Sequence, residues 1–258
     1  MDTLKESILS VLSQTVQPDR FVVIDNASTD ASRKIAVDMG VEVVDADNRH
    51  KFITGLNAAM NLIAGEYGRT KLFFMQNDVV LKKNCLEYML KDTRWLHGFI
   101  AQPVIYDTRG GIDNAGMDFK WPGYGERRNT QWWDGALYER CGLVTTICFM
   151  TDKCSEFDER FYPAYYEDVD FYLRTKDSIK HVLIPSAQVI HKGNHTFSQS
   201  YRKLEISRIC RKNRMKLIRK HYSGLDRIIR AAVTACFDVA KEAVDVIADR
   251  WVSANHQK

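Results

Sequence analysis

Several features are missing from this 258-residue sequence, and each omission removes a class of protein. No apolar run approaches the roughly 18–20 residues that a bilayer-spanning helix needs. The first residues alternate polar and apolar without a continuous hydrophobic region, so no secretory leader is expected. The six cysteines (Cys85, Cys141, Cys148, Cys154, Cys210 and Cys236) form no Cys-x-x-Cys pair and show no zinc-like spacing. They read as reduced thiols of a cytoplasmic protein rather than a disulfide framework. Charge of one sign is not in large excess: a net charge of +4 does not by itself point to nucleic acid. There is no internal repeat, no low-complexity segment, and no glycine-rich phosphate loop with a basic partner near the N-terminus. What is present, 45% hydrophobic and 27% charged residues, suits a soluble globular chain with one good core and a small appendage.

In chain order, apolar Leu4, Ile8, Val11 and Leu12 set a helical period over residues 4–14. Pro18 and Asp19 make a turn, and residues 21–25 read as a buried parallel strand. Asn26-Ala-Ser-Thr-Asp30 then supplies turn and cap residues for a helix ending at Gly40. A second strand is expected at residues 41–44, a helix at 55–64 and a third strand at 71–75 closed by Gln76-Asn77-Asp78. A helix through Lys91 and a strand at residues 99–106 follow. Residues 110–142 read as a Gly- and Trp-rich loop with Trp132 and Trp133, and a loop this long is usually functional or mobile. Strands are expected at 143–152 and 181–191, and helices at about 199–222 and 226–252, separated by Ser223-Gly224. The alternating order implies an α/β fold: a doubly wound, mostly parallel sheet flanked by helices, with its cleft at the carboxyl ends of the strands and a C-terminal helical extension.

Three carboxylates, Glu167, Asp168 and Asp170, fall within four residues after an aromatic, proline-bearing run. Acids in the first turn of a helix complement its dipole, and that alone could explain them. However, Asp25, Asp78 and His191 are also expected at strand ends, on the same rim. A divalent ion bound with a phosphate ligand needs only one or two protein groups. Asp78 and His191 could provide them, and an imidazole ligand makes Mn²⁺ at least as plausible as Mg²⁺. A further carboxylate nearby could serve as general base on an acceptor hydroxyl.

The sequence resembles family 2 glycosyltransferases of the GT-A fold, in their rhamnosyltransferase-like branch. The matching pieces are Val22-Val-Ile-Asp-Asn-Ala-Ser-Thr-Asp30, residues 52–57, Gln76-Asn77-Asp78-Val79, and Ile112-Asp-Asn-Ala-Gly116. They continue with Phe157-Asp-Glu-Arg-Phe161, Tyr166-Glu-Asp-Val-Asp170, Pro185-Ser-Ala-Gln-Val-Ile-His191 and the basic segment at residues 214–222. The resemblance covers about residues 4–222 and implies a GT-A-like domain over residues 1–222, with residues 223–258 as an amphipathic C-terminal helix. It also implies a departure. The family opens with a hydrophobic strand of the Val-Ile-Val-Thr-Tyr-Asn kind ahead of the first helix, and without it the sheet would be split, leaving two unpaired edges.

Residue by residue, the resemblance implies that Asp25 contacts the nucleoside of a nucleotide-sugar donor. Asn26, Gly55, Asn57 and Asn77 fall on the same donor side, although Gly55 and Asn57 also fit a simple helix start. Asp78 and His191 would hold Mn²⁺ or Mg²⁺ on the diphosphate. Asp168 would deprotonate the acceptor, with inversion at the anomeric carbon, and Glu167 or Asp170 is the rival base. Glu167, Asp170 and Trp132 would lie on the acceptor side, where Trp132 either stacks on a sugar or forms part of a core or lid. The implied partners are a UDP-, dTDP- or GDP-linked donor and a glycan or lipid-linked acceptor. A catalytically impaired glycosyltransferase-like binding module is the alternative.

Two C-terminal features bear on partners. Residues 202–220 hold nine Lys/Arg against a single acid, Glu205, and read as a solvated face, a diphosphate grip or a contact for anionic lipid. The last helix has a broad apolar face including Ile229, Val233, Phe237, Val244, Ile247 and Trp251, and its own charges nearly cancel. Docking on the catalytic domain or on a second copy is expected ahead of peripheral membrane contact. No nucleic-acid partner is expected, because aromatic residues are sparse in the basic run.

Overall fold

The computed structural model describes residues 2–46, 52–67, 71–129, 136, 138–153, 155–193 and 203–255. The chain runs α1 (Asp2–Leu12), β1 (Val22–Asp25), α2 (Ser32–Asp38), β2 (Glu42–Asp45), α3 (Ile53–Tyr67), β3 (Leu72–Met75), β4 (Val79–Leu81) and α4 (Cys85–Asp92). It continues through β5 (Phe99–Tyr106), β6 (Ile112–Asn114), β7 (Met117–Lys120), β8 (Tyr124–Arg127), β9 (Glu139–Arg140) and β10 (Cys148–Thr151). It ends with α5 (Glu167–Thr175), β11 (Lys180–His191), α6 (Lys203–His221) and α7 (Gly224–Asn255). The expected loop at 110–142 is thus partly sheet: β6 pairs β5, and β7 and β8 form a hairpin. Unlike β1–β3, which are apolar runs, β6–β8 carry neither a continuous apolar run nor enough alternation to be read from sequence.

The main sheet has the order β3-β10-β5-β11-β4, with β6 and β9 attached at its margins. Strands β3, β5 and β11 run the same way; β10 runs against β3 and β5, and β4 against β11. The sheet is therefore mixed, and the parallel pairings are β5–β11 and β1–β2. β1 and β2 form a sheet of their own, so among the described residues the sheet is split as the resemblance implied. The central strand β5 is buried over Phe99–Ile105, and its neighbour β11 absorbs Pro185 at an irregularity between Ile184 and Gln188. Proline lacks the N–H that a regular ladder would demand there.

Helix α1 covers the outer margin of β4 with polar side chains. The Ser7 hydroxyl donates to the Val79 carbonyl (2.6 Å), the Leu81 N–H donates to Ser10 Oγ (3.0 Å), and Gln14 bridges the Lys82 carbonyl and the Leu86 N–H. Ile8 and Val11 supply apolar packing on the same helix. Unpaired strand edges invite foreign strands, and a covering helix is one of the ways proteins blunt them.

Helix α7 lies against α6, and among the described side chains it does so through polar residues rather than the apolar face expected to dock on the catalytic domain or on a second copy. Thr234 and Asp238 are the buried side chains, Asp238 pairs with Arg214 of α6 (3.1 Å), and Arg230 donates to the Pro122 carbonyl (2.8 Å). Leu225, Ile228, Ile229, Phe237 and Val239 stay exposed. The side chains of Val244, Ile247 and Trp251 lie outside the described residues. Among those described, no helix is long and apolar enough to cross a membrane.

Candidate active site

One rim of the main sheet gathers four of its ends. β3 finishes at Met75, opposite Cys148 at the start of β10, and the Gln76 N–H donates to the Ile147 carbonyl (3.0 Å). β4 begins at Val79, opposite His191 at the end of β11, and the Lys192 N–H closes on the Asp78 carbonyl (2.9 Å). The buried Gln102 amide of β5 then fixes two flanking segments. It donates to Asn114 Oδ1 of β6 (3.0 Å) and accepts from the Thr145 N–H (3.0 Å). Strand pairing and the Gln102 amide together therefore bring Asp78, Asp113, Thr146 and His191 to one rim.

The side chains meet as well. His191 Nε2 is 3.5 Å from Asp78 Oδ2, and His191 Nδ1 is 3.0 Å from Asp113 Oδ2. Asp113 Oδ1 in turn accepts from Arg127 Nη1 (2.8 Å). Burial opposes the imidazolium, but the Asp113 and Asp78 carboxylates outweigh it and push the His191 pKa up to about 9. Asp78 Oδ1 is buried and has no partner among the described residues. A buried carboxylate oxygen with no donor among the described residues, beside an imidazole nitrogen, fits a divalent cation of the Mn²⁺ or Mg²⁺ type. Among the described residues no three His, Cys, Asp or Glu form a metal cluster, so such a cation would draw its remaining ligands from phosphate oxygens and water.

The acidic turn opens α5. Tyr165 and Tyr166 precede it in the left-handed region, at φ 70° and 74°, a conformation that costs bulky residues free energy. Helix α6 holds them there. The Asn213 amide donates to the carbonyls of Phe161, Ala164 and Tyr165 (2.8, 2.9 and 3.0 Å), and Arg214 Nε donates to the Tyr166 hydroxyl (2.7 Å). Glu167 is thereby turned inward, where Oε1 accepts from the Thr146 hydroxyl (2.9 Å) and Oε2 has no partner among the described residues. Burial first, then the neighbouring Asp168 charge, push its pKa up to about 8. Asp168, half-buried and accepting from the Val169 N–H (2.8 Å), is raised by burial to about 6, with the Arg127 cation pulling the other way. Asp170 is fully buried between Arg174 (2.9 Å), Lys220 (2.7 Å) and His221 (2.7 Å), and these partners hold its carboxyl below the usual range against the effect of burial.

A model of the family described as glycosyl transferase family 2 matches residues 1–153. The chain belongs to that family. No curated protein matches it. Among solved structures it is similar to "Crystal structure of GalNAc-T7 with UDP, GalNAc and Mn2+", at 15% sequence identity and a TM-score of 0.63. That likeness covers 84% of this chain and 45% of the other, so the chain spans less than half the length of the structure it matches. At such identity the likeness concerns the fold, which is GT-A-like: a central mixed sheet flanked by helices. The family 2 match ends before the acidic turn and His191.

The site residues expected for a family 2 chain are not all brought together. Asp78 and His191 come together, and the charge of Arg127 acts on both Asp113 beside them and Asp168. Asp25 and Asn26 sit apart, at the end of β1: Asp25 accepts from the Ser28 N–H (3.2 Å) and faces Arg33 (3.5 Å). A Cβ at Gly55 would stand 2.7 Å from the Asn26 amide, so glycine permits the first turn of α3 to approach that loop. Asn57 faces elsewhere, since its amide grips both backbone groups of Phe157 (2.9 and 2.8 Å). Asn77 is exposed at the β3–β4 turn. Trp132 lies outside the described residues. The basic run at 202–220, expected as a solvated face or an external patch, turns part of its charge inward: Lys216 meets the Arg160 carbonyl, and Lys220 meets Asp158 (2.6 Å) and Asp170. Among the contributors not expected as site residues are Gln102, Asp113, Arg127, Thr146 and Asn213. Of these, only Asp113 lay within a family-like motif.

Proposed function

We propose that the chain is a metal-dependent, inverting glycosyltransferase, moving a sugar from a nucleotide-sugar donor to the hydroxyl of a glycan or lipid-linked acceptor. The observation that carries this reading is the meeting of Asp78 and His191 at the strand-end rim, with the buried Asp78 Oδ1 unpartnered among the described residues. Membership of family 2 and a GT-A-like neighbour whose title names UDP and Mn²⁺ support the same donor class. The motif order of the rhamnosyltransferase-like branch favours a hexose or deoxyhexose linked to UDP, dTDP or GDP.

In this reading Asp78 and His191 hold the cation, which supplies charge neutralisation for the departing diphosphate. Asp25, Asn26 and the α3 start around Gly55 form the nucleoside side, with Asn77 at the edge of the same cleft. Asn57 positions the Phe157 segment rather than touching the donor. Asp168 takes the acceptor proton as the acceptor oxygen bonds to the anomeric carbon and the bond to phosphate breaks. Its rivals are otherwise engaged: Glu167, buried beside the Asp168 charge, retains a proton while its Oε1 accepts from Thr146, and Asp170 is held by Arg174, Lys220 and His221. Environments that push neighbouring carboxyl groups apart in this way separate their roles.

The test is calorimetric titration of UDP, dTDP and GDP with Mn²⁺ present or chelated. We expect one diphosphate to bind only with Mn²⁺, and Asp78→Ala to abolish that binding. Affinity unchanged by EDTA and by the substitution would refute the metal reading. The separation of β1–β2 from the main sheet favours a second reading, a glycosyltransferase-like binding module without catalysis. Donor turnover that disappears in Asp168→Asn would eliminate it.

A further inference from the structure

Asp113 has no part in the chemistry just described, yet it is built into the site with unusual care. It is the middle residue of β6, where the pairing with β5 slips: Asn114 stands opposite Ile105 and Ile112 opposite Tyr106. Asp113 is thus the extra residue of a bulge, a device that re-aims one side chain out of the regular alternation. The residues on either side are anchored. Asn114 is clamped by Gln102 and accepts from the Gly116 N–H (2.9 Å), while Ile112 packs with the buried Val104, Ala115 and Leu183. The re-aimed carboxylate reaches His191 Nδ1 with one oxygen and Arg127 with the other.

We propose that Asp113 is the positioning carboxylate of the metal site. It fixes the His191 ring and tautomer by accepting from Nδ1–H, so that Nε2 presents its lone pair toward a divalent cation shared with Asp78. Asp113 and Asp78 address opposite ring nitrogens, so one imidazole can be oriented by the first while serving beside the second. Metal-ligating histidines ordinarily donate their other N–H to a carboxylate, a carbonyl or water, and that partner sets ring orientation and ligand basicity. Arg127 completes the chain, donating from Nη1 to the other oxygen of Asp113. The inference rests on the metal reading of the previous section.

The experiment is titration of the full chain with Mn²⁺ in the presence of inorganic diphosphate, followed by water-proton relaxation. Wild type and Asp113→Asn are compared, with circular dichroism confirming that both are folded. Loss of the carboxylate that orients His191 is expected to weaken Mn²⁺ binding by roughly 10–100-fold while leaving a single site. Should Asp113→Asn fail to fold, the wild type still decides: nitrogen-15 spectra with Mg²⁺ and diphosphate should show His191 protonated on Nδ1. A variant affinity within twofold of wild type, or a wild-type proton on Nε2, overturns the role of Asp113 and leaves the metal site standing. No Mn²⁺ binding by wild type would remove the metal reading itself, and this inference with it.

Discussion

His181 and His191 stand near opposite ends of β11 and have opposite fates. His181 is buried among Phe171, Tyr172 and Thr175, accepts from the Val144 N–H, and is pushed by burial down to about 4, so it remains a neutral core residue. His191, with a carboxylate on each ring nitrogen, goes up to about 9. Their difference lies in partners that are distant in sequence. His191 could be singled out from sequence as a strand-end histidine in a family-like motif, whereas Asp113 lay in such a motif with nothing in the sequence to mark it as the partner of His191. The acidic turn shows the same limit: three adjacent carboxyls look alike in sequence, and Thr146, Lys220 and His221 separate them only in space. A pH prediction follows from Glu167 and Asp168. Both carboxyls keep protons in the folded chain at pH values where the unfolded chain, with ordinary values of 4.5 and 3.8, has released them. Their contribution to stability is therefore complete at acid pH and is lost as pH rises toward about 8, the raised value of Glu167. Glu167→Gln, which cannot ionise, should flatten the decline of Tm over that interval, and differential scanning fluorimetry across pH will show whether the slope changes. Sugar transfer should instead rise with pH through about 6, as Asp168 becomes free to accept a proton.

Among the elements, α6 illustrates why a charged run is ambiguous when read alone. Its bases could face solvent, phosphate or lipid, and periodicity cannot reveal which acids elsewhere in the chain they meet. In the fold, the helix grips the segment leading into α5 through Asn213, Arg214, Lys216, Lys220 and His221. Asn213 is fully buried, and the two N–H bonds of its amide are shared among three carbonyls. Asn213→Ala should therefore cost about 1–3 kcal/mol, the scale for leaving buried polar groups unsatisfied, and should lower transfer by loosening the left-handed Tyr165–Tyr166 backbone. Urea melts and initial rates measured on one preparation check both parts; a loss of stability with unchanged turnover would separate α6 from the base. Long periodic elements such as α1, β5, β11 and α7 were legible because they repeat their pattern several times. The short strands β4 and β6–β8 were not, since contacts across the sheet define them rather than their own residues.

For the whole molecule, the split between β1–β2 and the seven-stranded sheet divides the cleft between two supports. The proposed nucleoside side rests on a two-stranded sheet with a small core of Leu4, Ile8, Ala36 and Val41. The metal side rests on β5 and β11, within the larger cores. Free energies of local opening track such differences in buried contact. Hydrogen exchange should accordingly release the amides of β1 and β2 well before those of β5 and β11, and Mn²⁺ with the preferred diphosphate should slow the former. Equal protection in both sheets would show that they open as one unit. The overall α/β architecture was readable from the order of helices and strands, whereas the outward turn of the α7 apolar residues was not. Amphipathicity reveals that a helix has two faces, but not which of them the domain adopts. Helix α1 has a final consequence. Because Ser7, Ser10 and Gln14 occupy hydrogen-bonding groups along the free side of β4, the first fourteen residues act as a selvedge that keeps the weave from catching on its neighbours. A chain trimmed there would be more than slightly weaker, because it would carry a raw border to which another molecule's strand could be stitched.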